Sequence, residues 1–422
     1  MAADENNTKI KVGYAKRDIT PPLPFPLAGY ITRQERMAAS VHDPLTARAA
    51  VFSDGRRAAA VVTVDLLLIT ALLREAIEAR LVRDGVRLDG LLLSATHTHS
   101  SSGGYYDAPS AKPFMGVFRQ AIFDRLVDGI TGAITEATHD LQPADLALGL
   151  TQTEYLNWNR RHPDSPVDRT LSVITVNRSS GILRIISFGA HPVIAAERDN
   201  LAASACYPGA LTQALENEGG AAMFVVGPVG GVNVFFPEGP MKLDVHLHLL
   251  TRLLREEMAK AEAAAIPIDV NSVSFALGET PINIIAPHLF PDRLAWLETV
   301  FYPLRLWLRR FGRGGLRDGM HTCVPVVRIG DVIITGFPAD LGASVGLAAK
   351  ALIEKRDLRP AIVASQTGDY VGYVHLPEEY QRFQTADRDA LWLIVYENGM
   401  GFGGRNVGLD LLKAFDDALK RL

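Results

Sequence analysis

The stretch AAAVVTVDLLLITALLREAIEARLVRDGVRLDGLLLSATHTHS, residues 58–100, decides the class of fold. Its ends, 58–69 and 88–96, are short runs rich in Val and Leu that read as strands. The segment between them, 71–84, carries a helical pattern. The same alternation extends in both directions. Candidate strands lie at 47–53, 169–176, 182–191, 221–227, 324–337 and 360–367, and candidate helices at 116–137, 207–217, 244–263, 341–355 and 408–421. Strands alternating with helices over the whole chain predict an α/β fold. There is no internal repeat and no linker rich in Pro, Gly or Ser, so residues 1–422 read as a single large domain.

Composition narrows the function classes. The chain is 48% hydrophobic and 21% charged with a formal net charge of −4, which excludes a general nucleic-acid binder. Two cysteines, Cys206 and Cys323, are too few for a disulfide framework and lack the spacing of a thiolate zinc site. The polar N-terminus carries no apolar secretory core, and no run of 18 or more uninterrupted apolar residues occurs. A cytoplasmic protein with no transmembrane segment is expected. The segment 294–315, LAWLETVFYPLRLWLRRFGRGG, mixes large apolar residues with Arg305, Arg309, Arg310 and Arg313. It reads either as a packed helix pair broken at Pro303 or as an amphipathic lid within an insertion at 285–315.

In α/β folds, polar residues just after apolar strands lie on the rim where sites are built. Here these are Asp65, His97 and His99, His191, the glycine-rich GPVGGVN at 227–233, and Asp340. Two histidines at i and i+2 point the same way on an extended strand, so His97 and His99 can converge. His246 and His248 share that spacing, but they lie in a helical pattern and are expected on a helix surface. Zinc accepts imidazole nitrogen and carboxylate oxygen. His191 is a candidate third nitrogen, and Asp340 or Asp65 a candidate carboxylate. The competing chemistries lack their motifs. There is no Gly-x-Ser-x-Gly elbow, no phosphate loop and no His-Glu-x-x-His helix. GMGFGGR at 399–405 does not follow a strand and open a helix as a dinucleotide site does. GPVGGVN follows a strand, and its amides either face an anion or form a tight turn.

The ordered series VGYAKRDITPP, SATHTHSSSGGYY, NRRHPDSPVD, GAHP, a glycine turn before VN, GFPAD and DYVGYVHLPEEY resembles the neutral/alkaline (non-lysosomal) ceramidase family. The resemblance covers roughly residues 11–405, the catalytic N-terminal part of that family without its immunoglobulin-like domain. It implies mixed β-sheets flanked by helices and one zinc ion (Zn2+). Carried over motif by motif, His97, His191, Asp340 and Tyr373 are the implied metal ligands. His99 is the polar group facing the substrate, and Arg160 in NWNRR is the implied arginine, with Arg161 as its rival. Gly29, Tyr30, Arg161 and Tyr380 complete the expected substrate-binding positions. Two departures stand out. Asp340 replaces a glutamate and is one methylene shorter. Asn233 stands in the glycine turn near where the family carries an active-site serine, and an amide is not a nucleophile.

The resemblance therefore implies a zinc-dependent hydrolase that cleaves an N-acyl (amide) bond by metal-activated water, with His99, Arg160 and Asn233 as the catalytic residues and a substrate other than ceramide. The alternatives are an esterase or lactonase on the same metal site, or a binding relative without activity. The expected partner is a small N-acyl or ester molecule of apolar character, and homo-oligomer formation is left open.

Overall fold

Strands that read as unbroken apolar runs are strands buried on both faces, and the computed structural model bears this out. It describes residues 10–29, 36–108, 111–162, 164–198, 201–236, 241–270, 272–282, 320–382, 396–398, 400–401 and 403–422. Two expectations, Tyr30 and the 285–315 insertion, lie outside these residues.

Among the described residues the larger sheet has nine strands. Its spatial order is Ala221–Val226, Gly181–Phe188, Thr170–Arg178, Gln142–Gln152, Lys11–Asp18, Thr46–Ser53, Ala58–Val64 and Gly90–Ala95, and Ile266–Pro267 pairs beside Gln142–Gln152. The outermost pair at each end is parallel and the strands between are antiparallel. A second sheet runs Val273–Ile282, Met320–Ile329, Val332–Gly336 and Arg359–Ala364, its last pair parallel.

The period of two assigns each strand's faces. In Thr46–Ser53, Ala47, Ala49 and Val51 pack toward helices, while Ala50 and Phe52 join a cluster with Val327, Val332 and Ile334 of the second sheet. The two sheets thus meet face to face. Helices Ala71–Arg83 and Gln120–His139 cover one half of the larger sheet's outer face, and Cys206–Glu216 and Leu243–Ala263 the other. Ala343–Glu354 and Val407–Leu419 cover the second sheet. The result is four layers, helix–sheet–sheet–helix, with apolar side chains filling all three seams.

The six expected helices occur within a few residues of their predicted bounds. Several strands end earlier than expected. The 58–69 run leaves the sheet after Val64, where Leu66 N–H donates to Val64 O and the Thr70 side chain caps the next helix by accepting from Leu73 N. The 324–337 run is two strands, because Gly330, at φ 59°, turns the chain between Ile329 and Val332. His246 and His248 do diverge on a helix, but His246 is not on its surface. It is buried and its Nε2 lies 3.2 Å from Phe235 O, since residues two apart on a helix face roughly opposite ways and one of them meets the core.

Three parallel pairs end at one rim. Hydrogen bonds join their C-terminal ends in series: Thr96 N to Val64 O, Ala95 N to Gln366 O, Phe337 N to Ala364 O, Ser365 N to Val226 O and Gly227 N to Phe188 O. Each expected ligand follows one of these strand ends.

Candidate metal centre

His97 does not lie on an extended strand. The strand ends at Ala95, and His97 takes the left-handed conformation at φ 64°, which histidine adopts more readily than most residues. That turn, rather than strand alternation, brings the rings of His97 and His99 together, with centroids 4.8 Å apart and Nε2 atoms at 3.3 Å. The turn is anchored by Asp65, whose Oδ1 accepts from the Thr96 hydroxyl while Oδ2 accepts from Thr46 N and Oγ1. Asp65 is therefore occupied in support of the turn. His191 follows the strand Gly181–Phe188, and its N–H and Nδ1 both bond to Val232 O. The three imidazoles are buried and their ligand atoms fall within 4.8 Å of one another.

Asp340 and Tyr373 arrive together because they are register partners in a short parallel pairing, Asp340–Leu341 with Tyr373–Val374. Asp340 Oδ1 lies 2.9 Å from His97 Nε2 and 3.7 Å from His191 Nε2, and the Tyr373 hydroxyl lies 3.3 Å from His191 Nε2. Asp340 Oδ2 accepts a hydrogen bond of 2.8 Å from Tyr370 OH.

Protonation follows from the outer partners. His97 Nδ1 lies 2.7 Å from Leu67 O and His191 Nδ1 lies 2.9 Å from Val232 O, so both rings carry a proton on Nδ1 and turn Nε2 inward. Burial, together with the charge of Arg160 and the neighbouring imidazoles, holds His191 well below the usual imidazole pKa, so it stays neutral. Asp340 Oδ1 is buried and has no hydrogen-bond donor. Two ring nitrogens and one carboxylate oxygen thus face each other at the centre of the cluster. A proton on His97 Nε2 would answer Asp340, and the Tyr373 hydroxyl would answer His191 Nε2, whereas one cation held by all four groups would satisfy them together. The separations of 2.9, 3.3 and 3.7 Å bracket the edge of roughly 3.4 Å in a tetrahedron with bonds of about 2.1 Å. These residues fit a zinc-type ion.

The cavity over this cluster is lined by His97, His99, Asp340, Tyr373, Tyr370 and Tyr396, with Gly29, Leu67, Leu68, Phe114 and Met400 on its walls. Gly29 is required there. A side chain at its position would come within 2.9 Å of His99 O, and its φ of 130° is one that only glycine adopts freely. Arg160 reaches the edge of the cluster, donating to Tyr373 OH at 3.1 Å, Asn233 Oδ1 at 3.1 Å and Glu397 Oε1 at 2.8 Å. Because arginine only donates, the Asn233 amide is oriented with its oxygen toward Arg160 and its NH₂ available elsewhere. Arg161 turns away from the cavity, donating to Glu397 Oε2 and approaching His375 Nε2 at 3.0 Å. Tyr380 packs edge-on against His375 behind it. Arg160, Asn233, His191, Arg161 and Tyr380 are not among the residues lining the cavity, and Arg160 reaches it through its hydrogen bond to Tyr373.

The glycine turn is a packing turn. Gly230 N–H donates to Leu341 O and Val232 N–H to Val229 O, and a side chain at Gly230 would meet the Asp340 carbonyl at 2.5 Å. Its glycines let the His191 and Asp340 loops touch. Sequence reasoning singled out neither Tyr370 nor Glu397. The former lies in the same DYVGY motif as Tyr373, but no pattern marks the latter.

The family described as "Neutral/alkaline non-lysosomal ceramidase, N-terminal" matches residues 10–165. The chain is 30% identical over 201 residues to the neutral ceramidase of Pseudomonas aeruginosa, a stretch covering 43% of this chain and 30% of that protein. It is 30% identical over 217 residues to neutral ceramidase A of Dictyostelium discoideum, covering 44% and 29%. These matches span less than a third of the relatives' length. The crystal structure of the Pseudomonas aeruginosa neutral ceramidase superposes with a TM-score of 0.79 at 20% identity, covering 98% of this chain and 75% of that one. A solved ceramidase complexed with C2 gives 0.80 at 19% identity, covering 98% and 76%. Over residues 10–165 the sequence matches the neutral/alkaline non-lysosomal ceramidase family, and over nearly its whole length the chain shares the fold of the solved ceramidases.

Proposed function

We propose that the chain is a zinc-dependent hydrolase that cleaves an N-acyl bond in a small molecule other than ceramide. The observation that carries this reading is the convergence of His97 Nε2 and His191 Nε2 on Asp340 Oδ1, at 2.9 and 3.7 Å, with no hydrogen bond made to that buried carboxylate oxygen. The similarity to proteins named neutral ceramidases supports hydrolysis of an amide. When bound by His97, His191, Asp340 and Tyr373, zinc supplies a Lewis acid that polarises a carbonyl and brings the pKa of coordinated water toward about 7.

The remaining residues divide the work by position. Arg160 has five N–H donors, three of them engaged, so two are left to meet a developing oxyanion together with the Asn233 NH₂. His99 stands over the cluster with Nε2 at 3.3 Å from His97 Nε2, in place to orient the substrate and pass a proton to the leaving amine. Asn233 offers no nucleophile, so water is the attacking group in this scheme.

Metal analysis combined with a panel of N-acyl amines and esters tests the proposal. About one equivalent of zinc, with amine release that stops on chelation and resumes when zinc is restored, is the expected result. Ester turnover without any amine release would replace the amidase by an esterase. Zinc well below one equivalent, with no thermal stabilisation on adding it, would overturn the metal centre itself.

A further inference from the structure

Glu397 is buried beside the site, and the proposed chemistry leaves it unused. Its two carboxylate oxygens are divided between consecutive arginines. Oε1 accepts from Arg160 Nε at 2.8 Å and Oε2 from Arg161 NH1 at 2.6 Å. Neighbours in an extended chain point opposite ways, so this convergence is built by the local backbone. Arg160 N–H is held by Gly231 O at 2.8 Å, and Arg161 N–H is turned onto the Asn159 side chain at 2.9 Å. Burial alone would favour the neutral acid, but the two guanidiniums outweigh it and hold Glu397 ionised, far below the usual carboxylate range.

A guanidinium is planar, and three bonds to fixed partners determine its plane. Arg160 has those three, namely Glu397 at Nε, Asn233 at NH1 and Tyr373 at NH2. Of these partners only Glu397 is charged, and it bonds at Nε, where the side chain's last rotation is set. Arg161 has Asn398 Oδ1 as a further partner at 3.3 Å.

We propose that Glu397 is the positioning residue for Arg160, fixing the plane of its guanidinium so that NH1 and NH2 are aimed together at Asn233 and Tyr373. The orientation stands on the structure; its consequence for turnover rests on the proposed hydrolysis. Two measurements keep these apart.

The first is independent of activity. In the ¹⁵N-labelled zinc-loaded protein, the Arg160 Nε–H resonance, assigned with Arg160→Lys, is expected to exchange with solvent at least about tenfold faster in Glu397→Gln than in the unaltered chain, and the Asn233 side-chain amide signals are expected to move with it. Unchanged exchange and shifts would overturn the proposal.

The second is a kinetic cycle on an N-acyl p-nitroanilide. Glu397→Gln is expected to lower kcat by about 10- to 100-fold with KM within about threefold, but by less than about twofold when Arg160 is already lysine, since no fork is left to orient. An equal loss in both backgrounds, or an effect on KM alone, would overturn it. If Glu397→Gln fails to fold, Glu397→Asp retains the charge but withdraws the acceptor, and it is expected to shift the Arg160 signal and lower kcat; no change in either overturns the assignment. A chain that releases no nitroaniline contradicts the hydrolysis reading, and the resonance measurement then decides the positioning by itself.

Discussion

Asp340 Oδ1 sits 2.9 Å from His97 Nε2, on a ring whose other nitrogen is anchored 2.7 Å from Leu67 O. Asp340 Oδ1 is buried without a hydrogen bond, a cost that a shared cation removes. His97→Ala is therefore expected to lose metal and activity together. His99→Ala is expected to retain about one equivalent of metal while kcat falls by about 10²–10⁴. Elemental analysis of the two purified variants checks this; full zinc in both, or loss of zinc from both, would require a different ligand set, the latter one that includes His99.

The Tyr370 hydroxyl holds the other oxygen of Asp340 at 2.8 Å. Such outer partners orient metal-binding carboxylates. Tyr370→Phe, which keeps the buried ring, is expected to weaken zinc affinity by about 10- to 100-fold and leave the melting temperature of the metal-free protein nearly unchanged. Competition against a chromogenic chelator measures the affinity, and a dissociation constant within twofold of the unaltered chain contradicts the role.

Asn233 turns its oxygen to Arg160 and so offers its NH₂ outward. Asn233→Ala is expected to lower kcat by about 10²–10³, the usual cost of one oxyanion donor, with KM within about threefold. Steady-state kinetics on the best N-acyl substrate decide it. A change in KM alone would make Asn233 a binding residue.

On the opposite side of the His97–His99 turn, His42 bridges Asp43 and Asp244 at 2.6 Å each. The Asp43 hydrogen bond raises its pKa, burial opposes this, Asp244 adds to it, and the result is a pKa of about 9. Below the ordinary value of 6.5 the ring is charged whether the chain is folded or not, and the pairing stabilises fully. As pH rises through about 9 the folded form also loses the proton and the contribution disappears. The melting temperature of His42→Gln is expected to fall furthest below that of the unaltered chain near pH 6, with the gap closing by about pH 10. A gap that widens with pH would reverse the assignment.

Much of the fold is legible in the chain because strands buried on both faces are continuous apolar runs. AAAVVTV and GLLLSA face helices on one side and the second sheet on the other. The strands that escaped notice are those with mixed surroundings. Lys11–Asp18 is exposed over its last three residues, and in Gln142–Gln152 the buried Ala144, Leu146 and Leu148 alternate with Ala147 and Gly149, which blur the contrast. The order of SATHTHS, GAHP, GFPAD and DYVGY likewise identifies four residues that the structure brings within reach of one another.

The sequence by itself determined the elements, the family likeness and the kinds of side chain at the strand ends, because hydrophobic period and motif chemistry are local. Only the tertiary structure decided how the donors meet. The left-handed turn at His97, the register of Asp340 with Tyr373, and the carbonyls of Leu67 and Val232 that fix the tautomers all come from segments distant in the chain. The same holds for Glu397 and Tyr370, whose roles lie in contacts made 237 and 30 residues away. A hydrogen bond depends on distance and angle in space, and neither is encoded in the spacing of residues along the chain.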